Sequence, residues 1–402
     1  MLELTQTEYN FLILLRSALA NVTAKKEELS SEFDIDAVFR LAYNHKIWHM
    51  ILSALPKELL PDTVNRRHEL FRRVSSQVGT TSAFLELWSA MSEAGFHPIV
   101  VKGILCRTIY HHPELRPSSD EDLYISDSEF ESCCRFLKSR GLTPDKTNFA
   151  DCGEIGWTGA NGIRIELHRD LFEGDSFKIL NDFFTFGTLK KEAYPTHYGI
   201  PVVSMTPHDH FLYLLLHAYK HFIHSGFGIR QICDIGIWAQ KYGDKIHWQK
   251  LSEQCASAKI KNFAAAVFGI AKLELHIDFP LPKEWECPAE YCRPLLKDVL
   301  CGGIYGTADV DRLHSVTITL NAVNASDEGK SPSFLRSVFP TRNALLGKYP
   351  YLKKYPVLLP AAWCSRILSY TKSSLKGKTH ASQSIAIGKN RLELLRFYNI
   401  LE

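Results

Sequence analysis

Along the first quarter of the chain, apolar residues recur at spacings of three and four. Leu70, Phe71, Val74, Val78, Phe84, Leu85, Trp88 and Met91 form the clearest run, and that period predicts one buried face of a long helix. Gly95 follows, as a glycine does just past a helix end. The period then shortens. Pro98-Ile99-Val100-Val101 predicts a strand stopped by Lys102-Gly103, and Ile104 to Tyr110 predicts a helix. A polar loop with two prolines, His111 to Ser119, leads into a second strand, Asp120 to Ile125. Asp127 and Ser128 are the expected caps of a helix reaching Arg140. Ile155 to Thr158 and Ile163 to His168 flank Asn161-Gly162, a strong hairpin signal.

After Pro207 helices return, over Asp209 to His224, Ile229 to Tyr242 and, as two pieces, Trp248 to Leu273. Asn321 to Ser333 is expected to be a loop and Ser373 to Ser384 a mobile linker. Helices are expected near Trp363 to Ser374 and Asn390 to Ile400. The organisation read from this pattern is a helical region over 1–95 and a mixed α/β unit over 96–200. A helical domain over 201–320 and a C-terminal helical region over 321–402 complete it.

Composition narrows the picture. With 402 residues, 45% hydrophobic and 23% charged, the chain has material for a sizeable core. Its net charge of +3 argues against broad coating of nucleic acid, which needs a concentrated basic face. No apolar run reaches the roughly 18 residues of a membrane span. Phe11 to Leu15 faintly imitates a signal peptide, but Glu3 and Glu8 precede it and Arg16 follows, so an amphipathic first helix is expected. Ten cysteines without a Cys-x-x-Cys pair suggest reduced thiols and a cytoplasmic location.

Candidate chemistry concentrates on the two strands. Alternation puts Asp120 and Asp122 on one face of the second strand, and Glu121, expected to be exposed, on the other. Glu166 and His168 share a face of the hairpin strand. If these strands are neighbours, three carboxylates converge beside an imidazole, a donor set suited to Mg²⁺ or Mn²⁺ with substrate phosphates completing the shell. Two such ions about 4 Å apart activate an attacking hydroxyl and stabilise a leaving pyrophosphate. Upstream, Lys102 and the Gly103 turn before a helix are candidates for phosphate contact, with Arg116 as a forked donor. Accessory roles fall to His168, Lys220 and Arg230, although Arg230 and Asp234 at i, i+4 are expected to pair along their helix.

The ordered set resembles the uncharacterised nucleotidyltransferase family of the DNA polymerase β-like superfamily, common in bacterial gene clusters. The residues that carry the resemblance are Val101-Lys102-Gly103, Tyr110, Arg116-Pro117, Asp120-Glu121-Asp122-Leu123 and Glu166-Leu167-His168. His217, His221, Arg230, Asp234 and Trp248 extend it, as do Tyr349-Pro350-Tyr351, Pro360, Arg366, Gly388-Lys389 and Arg391. The resemblance implies an α/β (α+β) polymerase β-like core with a small mixed sheet, flanked by largely helical regions. It also implies transfer of a nucleotidyl group from a nucleoside triphosphate to an acceptor hydroxyl. On that reading Asp120, Asp122 and Glu166 are catalytic and metal-binding, and Lys102, Gly103 and Arg116 bind the nucleotide. The acceptor is a small molecule, peptide or protein. The chain departs from the superfamily in having Lys102-Gly103 where Gly-Ser or Gly-Gly is usual, and an acidic Glu121 where an apolar residue is common.

Two alternatives stand beside this. One is a catalytically degenerate member of the same fold that binds without transfer. The other is a helical metallophosphohydrolase built on His210, His217, His221 and His224, which fall on one helical face, with Asp209 or Asp234 as an oxygen ligand.

Overall fold

The computed structural model describes residues 3–401 apart from 60–62, 147, 150–151, 174, 225, 347–348, 376–380 and most of 305–340. The first hundred residues fold as helices α1 (Gln6–Leu19), α2 (Ile35–Asn44), α3 (Trp48–Ala54) and α4 (Thr63–Glu93). Helix α1 starts at a capping box, in which the Glu8 amide donates to Thr5 Oγ1 and the Thr5 amide donates to the Glu8 carboxylate. The long helix α4 is buried only in its second half. Phe84, Leu85, Trp88 and Met91 enter the core, but Phe71 is 70% exposed and Val78 is exposed too. The continuous buried face expected from the spacing therefore stops midway, because the first half of α4 extends beyond the core.

The mixed unit contains β1 (Ile99–Val100), the single-turn helix α5 (Ile104–Arg107), β2 (Glu121–Tyr124), α6 (Asp127–Ser139), β3 (Thr143–Pro144), β4 (Glu154–Thr158) and β5 (Arg164–His168). These strands form one sheet in the order β1-β2-β5-β4-β3. β2 and β5 run parallel, and every other pair is antiparallel. All four residues of β2 are buried, as expected of a strand covered on both faces. Gly162, at φ +74, turns the β4–β5 hairpin where the Asn-Gly signal placed it. The cap of α6 is Ser126, whose hydroxyl accepts from the Glu129 amide, one residue earlier than the sequence pattern suggested. The expected helix from Ile104 to Tyr110 ends at Arg107, and Tyr110 is buried beyond it.

A hairpin, β6 (Lys191–Tyr194) and β7 (Val202–Met205), joins the sheet region to the helical half. There Ser204 Oγ donates to the Val100 carbonyl. The helical half contains α7 (Pro207–His224), α8 (Ile229–Tyr242), α9 (Trp248–Ser257), α10 (Lys261–Gly269) and α11 (Ala289–Gly302). Further helices run over Leu359–Leu375 and Ala381–Phe397. The expected linker at Ser373 to Ser384 is thus helical at both ends, with 376–380 outside the described residues. Most of the expected loop at Asn321 to Ser333 also lies outside them.

One buried core draws residues from Phe11 through Leu401. Arg391, on the last helix, donates to the carbonyls of Phe222 and His224 and so satisfies backbone acceptors left open at the end of α7. Among the described residues, no helix is long and apolar enough to cross a membrane.

Candidate metal centre

The parallel pairing of β2 with β5 sets Asp122 directly opposite Glu166, and Tyr124 opposite His168. Asp122 and His168 are buried, at 3% and 5% exposure, while Glu166 is half-buried at the rim. His168 Nε2 lies 3.4 Å from Asp122 Oδ1 and 3.8 Å from Glu166 Oε2, and its Nδ1 lies 3.5 Å from Glu154 Oε2. One donor atom from each of Asp122, Glu166 and His168 falls within 4.8 Å of the other two. Among the described residues, this is the one group of three with that geometry.

The electrostatics are those of a site short of positive charge. Burial pushes the Asp122 carboxyl up, but Lys102 and His168 together hold it well below the usual carboxylate range. Glu166 is pushed up to about 8, first by burial and then by the charges of Asp122, Asp120 and Glu154. His168 is raised: burial opposes its charge, and Asp122, Glu154 and Glu166 outweigh that cost. Lys102 Nζ stands 3.7 Å from Asp122 Oδ2 and 3.3 Å from His217 Nε2. Asp122 Oδ2 is nevertheless buried without a hydrogen-bond partner. Two carboxylates and an imidazole converging on one point, one oxygen unsatisfied, fit a divalent cation.

Asp120 stands at the head of β2, outside the trio, half-buried and accepting from Ser119 Oγ at 3.2 Å. Its charge is felt at Glu166. His168 therefore occupies the place in the cluster that the sequence pattern gave to Asp120.

The phosphate turn departs further from expectation. Gly103 sits at φ +64, and a Cβ there would lie 2.0 Å from Glu121 Oε2. The Ile104 amide donates to that same oxygen at 2.6 Å, and Arg107 Nη2 donates to Oε1 at 2.5 Å. Glu121, expected to be exposed, is thus buried at 5% exposure, and the glycine makes room for the protein's own carboxylate. Burial raises Glu121 while Arg107 and the amide hold it back.

Arg116 is also committed internally. Its Nε and Nη2 hold the two oxygens of Asp234 at 3.1 and 2.5 Å, and Tyr110 Oη donates to Oδ1 at 2.6 Å. At 2% exposure this fork braces the 113–120 loop against α8, with two of its three nitrogens committed to Asp234. The expected Arg230–Asp234 helix pair is replaced by this bridge, and Arg230 Nη1 donates instead to the Pro117 carbonyl at 2.6 Å. Lys220 is half-buried on α7, and its charge is felt at His217, His221 and Glu173.

Among the described residues, the histidine stripe of α7 assembles no metal shell. His210 packs on Trp238 with centroids 4.2 Å apart, and His224 stacks on Phe177. His217 and His221 lie 3.2 Å apart behind Lys102, and burial and Lys102 keep both neutral. Sequence reasoning missed Glu154 as a neighbour of His168. Their opposition across the hairpin follows from its register, once the Asn-Gly turn is counted.

Comparison with known proteins adds one match. The family model described as uncharacterised nucleotidyltransferase covers residues 31–276, more than half of the 402, and includes both strands of the site. No curated protein and no solved structure matches the chain. With that match spanning helices α2 to α4, the sheet and helices α7 to α10, the chain belongs to the uncharacterised nucleotidyltransferase family.

Proposed function

We propose that this protein is a metal-dependent nucleotidyltransferase of the polymerase β-like type, moving a nucleotidyl group from a nucleoside triphosphate to an acceptor hydroxyl. The observation that carries this reading is the direct opposition of Asp122 and Glu166 across two parallel strands, with His168 closing the group. Asp122, Glu166 and His168 would hold Mg²⁺ or Mn²⁺, with Asp120 at its margin. Such an ion supplies charge stabilisation to the phosphoryl oxygens and to the leaving pyrophosphate.

The acceptor oxygen attacks the α-phosphorus, the bond from that phosphorus to the bridging oxygen breaks, and pyrophosphate departs with the bonding pair. The acceptor proton passes to the Glu166 carboxylate at the rim of the site, which metal binding would leave ionised. Lys102 keeps Asp122 ionised and contributes the nearest fixed cation. In the metal-free protein burial opposes a charge on His168 while Asp122, Glu154 and Glu166 favour it; with an ion bound, the neutral imidazole would be the ligand.

The test is release of pyrophosphate from α-labelled nucleoside triphosphates, with label transfer to candidate hydroxyl acceptors, by wild type and by Asp122→Asn. Metal-dependent transfer that the variant keeps would refute the assignment. The filling of the Gly103 turn by Glu121 favours a second reading, a nucleotide-binding member without transfer. That reading expects metal-dependent nucleotide binding with no pyrophosphate released under any acceptor.

A further inference from the structure

A nucleoside triphosphate brings about four negative charges, and the residues first expected to meet them are engaged elsewhere. Glu121 fills the Gly103 turn, and Arg116 is spent on Asp234. A cavity of about 450 Å³ opens beside Asp120, within the size range of small-molecule sites. Helix α4 contributes a polar face to it, in which Arg73, Gln77 and Thr80 follow at helical spacing. Arg230 and Arg164 add two more guanidinium groups, and Lys46 adds an ammonium. Against them stand the carboxylates of Glu114, Asp120 and Glu121, the last already neutralised by Arg107.

Three features show a built cleft. Arg230 is fixed by its bond to the Pro117 carbonyl, yet its Nε is buried without a hydrogen-bond partner. His49, 8% exposed, likewise has an unpartnered Nδ1 and borders the same space. The 117–120 loop is held in shape by the Ser118 amide on Gln77 Oε1 at 3.0 Å and by Ser118 Oγ on the Asp120 carbonyl at 2.8 Å. The cleft also borders Tyr43, which is 41% exposed and stacked on Trp48 at 5.3 Å, a flat aromatic surface of the kind on which a nucleobase rests.

We propose that this cleft, and not the Gly103 turn, is the donor site: Arg73 and Arg230 hold the triphosphate beside Asp120, and Tyr43 carries the base. The proposal rests on the nucleotidyltransferase reading and assigns its donor subsite. Arginine suits the task, since its planar fork meets two phosphate oxygens at once.

The test is calorimetric titration of the full chain, in Mg²⁺, with ATP and separately with inorganic tripolyphosphate. Wild type is compared with Arg73→Gln, the Arg73→Gln/Arg230→Gln pair and Tyr43→Ala. Arg73 and Tyr43 are exposed, so their single variants test the cleft even if the pair folds poorly. Loss of roughly tenfold to a hundredfold in affinity for both ligands is expected from the arginine variants. A loss of about tenfold for ATP with tripolyphosphate unchanged is expected from Tyr43→Ala. If wild type binds ATP and the Arg73→Gln and Tyr43→Ala variants bind it equally well, the cleft assignment is overturned while the transferase reading stands. If wild type binds neither ligand in Mg²⁺, both fall together.

Discussion

Glu121 and Asp122 are adjacent on one strand, equally buried, and point to opposite faces of the sheet. On one face Glu121 meets a guanidinium and a backbone amide, so both its oxygens are satisfied. On the other, Asp122 faces Lys102 at 3.7 Å, His168 and a second carboxylate, and one of its oxygens has no hydrogen bond. In the first arrangement the carboxylate is satisfied and holds the α5 turn against the sheet. The second is incomplete, costs stability in isolation, and invites a cation. Neighbouring carboxylates thus differ in whether the fold finishes their coordination.

The sharpest way to break this contrast is to exchange the effects. Asp122→Asn should lower metal-dependent nucleotidyl transfer by roughly a thousandfold or more while leaving the urea midpoint near that of wild type. Glu121→Ala should do the reverse and destabilise the fold by about 3–5 kcal/mol, because it leaves Arg107 buried and unpaired. A Glu121→Ala protein as stable as wild type would mean that the bridge at Gly103 is not structural.

A third buried group sharpens the comparison from the neutral side. His45 is fully buried, accepting from the Ile229 amide at Nδ1 and facing the Leu300 carbonyl at Nε2, and burial lowers it to about 4. Between the ordinary value of 6.5 and about 4, the unfolded chain binds a proton there and the folded chain does not. Stability from this group is therefore present above pH 6.5 and lost as pH falls to about 4, to an extent of about 3 kcal/mol. Urea midpoints across that window should fall less steeply in His45→Gln than in wild type.

The smallest effect concerns the proton that a metal must displace. Glu166, pushed up to about 8, is protonated at neutral pH in the metal-free protein. Mg²⁺ affinity should accordingly rise by at least about tenfold per pH unit up to about 8, and more steeply where His168 must also give up a proton. Titrations between pH 6.5 and 8.5 that showed a flat affinity would remove Glu166 from the ligand set.

The strands, the hairpin and the shared faces of Asp120 with Asp122 and of Glu166 with His168 were legible because they rest on local signals: β-branched runs, an Asn-Gly turn and side-chain alternation. What the pattern could not give was which charges meet across the fold. Arg230 and Asp234 have the helical spacing of a pair, yet Asp234 bonds Arg116, 118 positions away, because a buried bidentate contact outweighs an exposed i, i+4 one worth a few tenths of a kcal/mol. Glu121 looked exposed because alternation assigns a face and says nothing of what covers it. Phe71 and Val78 keep the period of α4 past the point where the core ends. The cationic cleft draws Lys46, Arg73, Arg164 and Arg230 from four separate segments, and no spacing announces it.

The parallel pairing of β2 with β5 has a consequence in time as well as space. Its partners, Asp122 and Glu166, are 44 positions apart (122 to 166), with α6 and the β3–β4 pair in the chain between them. Parallel neighbours have no short route to each other, so this contact closes a long loop and forms late. The two side chains are brought opposite each other only by this pairing. If the trio holds a divalent ion as proposed, its full site exists only once β2 and β5 have paired, and uptake during refolding would mark that step.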